Sequence, residues 1–429
     1  MIIRRDVYLN RLVSRMDNGL VKVITGIRRC GKSFLLFELF VSHLLSQGVL
    51  DSHIIKVRLD QDDYEALRDP HALSSYIRER IQNSDERYYV LIDEAQYAIS
   101  REELKDPDRP IALYSVLNGL LARGNVDVYI TGSNSKFLSR DVMTEFRGRG
   151  DEIHLAPLSF SEFMSAFPGD ARAGWREYSL YGGMPHLFEE RSEEAKSAYL
   201  KHLNEEIYVR DIAERYSIRN SSGMEELMRA LASSVGSLTN PQRISDTFRS
   251  GGRKGISAAT VSDYLRYLEE AFFVQKAERY DIKGNRYLTT PSKYYCTDLG
   301  LRNALLNFRQ YEPTHLMENA VYNELIYRGY NVDVGVVEAV ENVNGKRTTK
   351  QIEIDFVVNK GSERLYIQSA YAIPDMEKMR QEQAPLSKIP DSFKKIIVTL
   401  DGEVRWRNDW GTEVIPVLDF LMDPNSLAE

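Results

Sequence analysis

Along the first part of the chain, short apolar runs alternate with stretches whose hydrophobic positions recur at helical spacing. Val21 to Thr25, His53 to Leu59, Tyr88 to Ile92, Val126 to Thr131 and Glu152 to Leu155 are short β-rich runs. Runs of this kind, separated by helical periodicity, belong to a parallel sheet covered on both faces. The pattern predicts an α/β domain over residues 1–158. After Pro157 the strand signal fades, and Ser159 to Asn220 reads as mostly helical, punctuated by Tyr-Gly-Gly-Met-Pro at residues 181–185. A helical lid or connector over residues 159–222 is expected.

From Gly223 the pattern changes. Helices are predicted over Met224 to Val235, Pro241 to Phe248 and Ala258 to Ala271, followed by β-rich runs Phe272 to Tyr280 and Arg286 to Tyr295. Between those runs, Lys283-Gly284-Asn285 has hairpin-turn chemistry. Three helices and a hairpin predict a winged-helix domain over residues 223–300. The remainder, residues 301–429, shows a helix around Glu318 to Arg328, an alternating strand Gln351 to Val358, and strands at Leu365 to Tyr371, Lys395 to Leu400 and Glu413 to Val417. That is a small α/β domain.

Candidate chemistry enters with Gly26-Ile27-Arg28-Arg29-Cys30-Gly31-Lys32-Ser33, which fits G-x-x-x-x-G-K-[ST] between the strand Val21 to Thr25 and the amphipathic helix Phe34 to Leu45. Gly26 and Gly31 allow a backbone that turns successive N–H groups toward a phosphate, and the helix N-terminus adds its dipole. Lys32 supplies charge at the β/γ-phosphates, and the Ser33 hydroxyl is a ligand for Mg²⁺. Downstream, Tyr89-Val90-Leu91-Ile92-Asp93-Glu94 is an apolar strand ending in two acids. Asp93 is expected to hold the Mg²⁺ shell, and Glu94 to orient or deprotonate the attacking water. After the strand Val126 to Thr131, Asn134 is either a sensor of the γ-phosphate or part of a polar loop. Arg147 and Arg149 either neutralise transition-state charge, in cis or from a neighbouring subunit of an oligomer, or are solvated loop arginines.

Composition narrows the classes. The chain has 429 residues, 43% hydrophobic and 28% charged, which suits two or three soluble globular domains. No apolar run approaches the roughly 20 residues of a membrane span, and the N-terminus lacks a signal-peptide pattern, so a cytoplasmic protein with no membrane partner is expected. Two cysteines, Cys30 and Cys296, exclude a disulfide framework and a zinc site of the usual spacing. The net charge of −7 gives no global attraction to nucleic acid. Any such binding needs a local basic face.

The segments "VITGIRRCGKS", "LIDEAQ", "ITGSNSKFLS", "FRGRG", "LAPLSFSEF" and "YGGMP", in this order, resemble the prokaryotic AAA-type ATPases that carry a C-terminal domain of unknown function. The resemblance spans nearly the whole chain. It implies ATP and Mg²⁺, with Arg149 at the family's Gly-Arg position, and a C-terminal domain like restriction endonucleases.

Residues 240–298 hold ten Lys or Arg, Arg279 and Lys293 among them, against seven acids. Residues 249–254 and 283–286, with Arg249, Arg253, Lys254, Lys283 and Arg286, are where phosphates of DNA would be met. The alternative is a winged helix used only for packing. In the last domain Glu353 and Asp355 share one strand face, and Glu318, Asp355 and Gln368 have the order of a nuclease metal core. Gln368-Ser369-Ala370 departs from it, however, offering neither the expected acid nor the lysine, so the site is read as degenerate. The chain is therefore expected to be an ATPase whose nucleotide state controls its C-terminal module, on DNA or a protein partner. A nucleotide-gated interaction switch with negligible turnover and an ATP-regulated nuclease are the alternatives.

Overall fold

Strands β1 (Val21–Thr25), β2 (Ile54–Arg58), β3 (Tyr88–Asp93), β4 (Val126–Thr131) and β5 (Gly150–His154) form one all-parallel sheet in the order β2-β3-β4-β1-β5. Every residue of β1, β3 and β4 is buried, the expected consequence of strands covered on both faces. The computed structural model describes residues 2–83, 85–100, 102–103, 109–132, 150–218, 220–250, 256–343 and 346–428. By its internal contacts the chain divides into two units, residues 1–157 with 270–272 and residues 158–269 with 273–429.

In the first unit, Val21, Val23, Val57, Val90, Ile92, Val128 and Ile130 pack with Leu73 and Ile77 of the helix Pro70–Arg80 and Leu113, Leu117 and Leu120 of the helix Ala112–Leu121. Each such side chain contributes about 1.5–3 kcal/mol on burial. The helix Pro70–Arg80 starts where the Asp69 side chain accepts from the Ala72 amide, with Pro70 in the first turn, a position that lacks an intrahelical partner for its nitrogen in any case.

The opposite face of the sheet carries a buried charge pair. Lys22 on β1 is fully buried, and its ammonium pairs with the Asp127 carboxylate on β4. Asp127 also accepts from the Tyr129 hydroxyl at 2.7 Å and the Asp17 amide at 3.0 Å. Burial holds the Lys22 ammonium below its ordinary pKa, with Asp127 acting in opposition.

The second unit holds an eight-stranded sheet, order β12-β13-β11-β10-β9-β8-β6-β7. Its strands are β6 (Val274–Asp281), β7 (Arg286–Cys296), β8 (Asn331–Val343), β9 (Lys346–Lys360), β10 (Glu363–Ala370), β11 (Lys394–Thr399), β12 (Trp406–Arg407) and β13 (Glu413–Pro416). The helices Ser221–Ser233, Pro241–Ser250 and Ala258–Glu270 precede an antiparallel β6–β7 hairpin. At its turn Asn285 takes φ 50° and the Gly284 amide donates to Asp281 Oδ1 at 2.9 Å. The hairpin does not stand apart. β6 pairs in parallel with β8, making the hairpin one edge of the sheet that runs through the C-terminal segment.

Two expectations about charge are corrected. Lys293 and Arg279, counted above toward a basic surface, are only 3% and 8% exposed. The β7 end bearing Lys293 lies under the helix Pro313–Tyr327, and the Arg279 guanidinium donates to Gln351 Oε1 at 2.9 Å. Among the described residues, no helix is long and apolar enough to cross a membrane.

Removing one partner of a buried ion pair leaves an uncompensated charge. Asp127→Ala is therefore expected to lower stability to urea by about 3–5 kcal/mol, while Lys22→Met combined with Asp127→Leu recovers most of the loss. A double variant as unstable as Asp127→Ala would show that the damage comes from packing rather than from the stranded ammonium.

Candidate nucleotide-binding site

Beyond Thr25 the chain makes a turn that only glycine can begin. Gly26 takes φ 146°, and a Cβ there would lie 2.1 Å from the Leu155 carbonyl oxygen. Arg29 and Gly31 follow at φ 62° and 101°, left-handed conformations that bend the loop back toward the helix beginning at Lys32. Helical structure then continues through Lys32–Phe34, a π-helical stretch Leu35–Phe40 and Val41–Ser46.

The loop is held from three sides. The Lys32 ammonium, 5% exposed as a residue, donates to the Gly26 and Ile27 carbonyls, each at 3.0 Å. Arg5, also buried, donates to the carbonyls of Cys30 at 3.1 Å, Ala156 at 2.8 Å and Pro157 at 3.4 Å. Cys30 lies inward, its thiol pointing to the Leu155 carbonyl at 3.3 Å, with burial raising its pKa. It is a packing group, not a nucleophile. Arg28 is half-buried and Arg29 exposed.

The second motif meets the first. Asp93 ends β3, is 3% exposed, and accepts a hydrogen bond from the Thr131 hydroxyl, with the Ser33 hydroxyl near enough to lower its pKa. Burial pushes its carboxyl above the usual range while those two hydroxyls pull it down. Glu94, next along the chain, takes φ 49° and ψ 51°, a conformation that costs a non-glycine residue roughly 1–3 kcal/mol. Its amide donates to Thr131 Oγ1 at 2.9 Å, and its carboxylate accepts from the Gln96 side-chain amide. Thr131 therefore ties Asp93 and Glu94 to the end of β4 through one oxygen.

Behind the loop, Thr25 Oγ1 donates to Glu152 Oε1 at 2.7 Å and lies 3.3 Å from His154 Nδ1. Burial, then the Lys32 charge, holds the His154 imidazole down to about 4, so it is neutral.

The structure thus brings together Gly26 to Ser33, Asp93 and Glu94. Asn134, Arg147 and Arg149 lie outside the described residues. Three contributors had escaped the sequence reading: Thr131, Gln96 and Arg5. Thr131 could have been found as the last residue of the strand beside the acidic motif, and Gln96 by its place in "DEAQ". Arg5 carries no local signal.

Residues 18–164 match the AAA domain family, and residues 172–312 match a domain of unknown function (DUF8612). An uncharacterized protein of Haemophilus influenzae is 34% identical over 426 residues, covering 98% of this chain and 99% of that protein. The chain belongs to that protein's family. Its first unit is an AAA-type P-loop domain. This AAA-domain chain is also 27% identical over 437 residues to an uncharacterized protein of Methanocaldococcus jannaschii, with 97% of the chain and 88% of the relative covered. Similar solved structures include the Aeropyrum pernix ORC1 protein in complex with DNA, at 14% identity, covering 72% of this chain and 93% of that one with a TM-score of 0.29. Cdc6p from Pyrobaculum aerophilum is similar at 11% identity, with 71% and 95% covered and the same TM-score. Likenesses at that score bear on neither fold detail nor function.

Proposed function

We propose that the AAA-type domain hydrolyses ATP with Mg²⁺ and that its nucleotide state controls the second unit, with residues 223–300 acting as a winged helix and 301–429 as a degenerate nuclease-like domain. The observation that carries the proposal is the meeting of the Ser33 hydroxyl with Asp93, and of Asp93 and Glu94 with Thr131. The residues present suit the ligand. Gly26 lets the chain turn tight against Leu155, where a Cβ would collide with its carbonyl, and the loop from Ile27 to Gly31 leads into a helix start. Ser33 and Asp93 are the oxygen donors that would hold magnesium, an ion that supplies charge neutralisation at phosphate oxygens.

This chain's own groups then have distinct tasks. Lys32 exchanges the Gly26 and Ile27 carbonyls for phosphate oxygens. Glu94 orients the attacking water and accepts its proton, with Thr131 and Gln96 fixing where its backbone and carboxylate lie. Asn134 senses the γ-phosphate, and Arg149 answers transition-state charge, in cis or across an oligomer.

Lys32→Ala is expected to keep the fold by circular dichroism and to weaken ATP binding about 10- to 100-fold, the worth of a hydrogen bond to a charged group. Unchanged affinity in a fluorescence titration removes the phosphate-site assignment. Glu94→Gln keeps shape and loses the base, so ATP binds and turnover drops by about 10²–10⁴. If turnover survives at the parental rate, Glu94 is not the catalytic residue; negligible turnover in the parental protein gives precedence to the switch reading, in which ATP is only a conformational ligand.

For the second unit, the exposed Arg249, Lys283 and Arg286 support a DNA-facing surface, to which Arg253 and Lys254, outside the described residues, would contribute. Changing Arg253, Lys254 and Lys283 to Glu is expected to abolish salt-sensitive DNA affinity. Binding with an unaltered salt slope would move the contact elsewhere, and no binding in the parental protein would favour a protein partner.

A further inference from the structure

A lysine lies inside the carboxylate cluster of the second unit. The Lys293 side chain, on β7, is 4% exposed, and its ammonium donates to Glu318 Oε1 at 3.0 Å. The same nitrogen is 2.8 Å from Glu353 Oε1 and 3.9 Å from Asp355 Oδ1. Glu318 comes from the helix Pro313–Tyr327, whereas Glu353 and Asp355 lie two residues apart on β9 and so share a face. Three acids from two elements thus surround one nitrogen from a third.

The surroundings fix this arrangement. The buried Tyr295 hydroxyl donates to Glu318 Oε1 at 2.7 Å, and the Ser369 amide donates to Asp355 Oδ2 at 2.8 Å. Gly236 leaves no slack behind Glu318, since a Cβ there would lie 3.0 Å from Oε1. The two shortest separations from Lys293 are those of ammonium hydrogen bonds, longer than the roughly 2.0–2.6 Å at which oxygen ligands close on Mg²⁺ or Ca²⁺. Among the described residues, no three carboxylate, imidazole or thiol groups are arranged to hold a metal ion.

We propose that Lys293 is a tethered cation that takes the position of a divalent metal among Glu318, Glu353 and Asp355, making this site independent of metal. The proposal does not rest on the ATPase reading. It follows from electrostatics: the buried Glu318 and Asp355, with the part-exposed Glu353 beside them, favour a nearby positive charge, and an ammonium delivered by the chain itself is there at every metal concentration. A divalent ion could enter only beside Lys293 or by displacing it from a buried site where it already has charged acceptors. Burial and then Glu318 push the Asp355 carboxyl up to about 8 against the pull of Lys293. Lys293, although burial opposes its charge, is held above its ordinary range by Glu318, Asp355 and Glu353.

The test is Mn²⁺ binding by the full chain without nucleotide, followed by electron paramagnetic resonance. Wild type and Asp355→Asn are expected to bind the same number of ions. Lys293→Met should bind one more, at least about tenfold tighter than any ion wild type takes at this cluster, and Lys293→Met with Asp355→Asn should lose it again. An ion bound by wild type and lost in Asp355→Asn overturns the proposal, as does a folded Lys293→Met that gains none. Should Lys293→Met not fold, Lys293→Met with Glu353→Gln, which leaves two acids, replaces it under the same two outcomes.

Discussion

The parallel register of β1, β3 and β4 is the constraint from which the nucleotide site follows. Ile92 pairs with Ile130, and Ile24 with Thr131, so the three strands end together and their loops rise from one edge. The crevice at the carboxyl ends of parallel strands is where open α/β sheets bind ligands. Because β1 lies between β4 and β5, the Gly26 turn emerges beside both Thr131 and Leu155. A one-residue slip of β4 would send the Thr131 hydroxyl to the other face, where it could reach neither Asp93 nor the Glu94 amide.

Much of this was legible because the strands that matter are nearly unbroken apolar runs and the phosphate loop has a fixed spacing. The second unit was harder. β8 escaped because a register shift between Asp333 and Gly335 interrupts the alternation a strand reading depends on. The hairpin after residue 272 was legible from its turn, but its pairing with β8 is a long-range contact that no local pattern encodes. Arg5 acts through tertiary hydrogen bonds to the carbonyls of Cys30, Ala156 and Pro157, and its residue type at that position suggests nothing special.

Lys293 shows the same limit in sharper form. Scanned near Gln368 and Ala370, where a nuclease-like motif would carry it, the lysine is missing. Lys293 stands instead on β7, and its ammonium meets Glu318, Glu353 and Asp355 only through the fold. A count of charges along residues 240–298 gives every lysine equal weight, yet Lys283 is exposed at the hairpin turn and Lys293 is buried among acids. Lys22 behaves like Lys293, spending its charge on an internal carboxylate. Local net charge thus overstates what the surface presents, and the difference depends on packing.

The fold-back of Lys32 onto its own loop makes the protein a competitor for its own ligand. Two carbonyls, each 3.0 Å from the ammonium, occupy its donors and brace the loop. A nucleotide too short to reach that ammonium gains nothing from it and leaves the internal bonds intact. One that does reach it must supply oxygens better than two neutral carbonyls, and charged acceptors form the stronger bonds. On the proposed nucleotide-binding role, the loop would therefore favour nucleotides whose phosphates reach that ammonium.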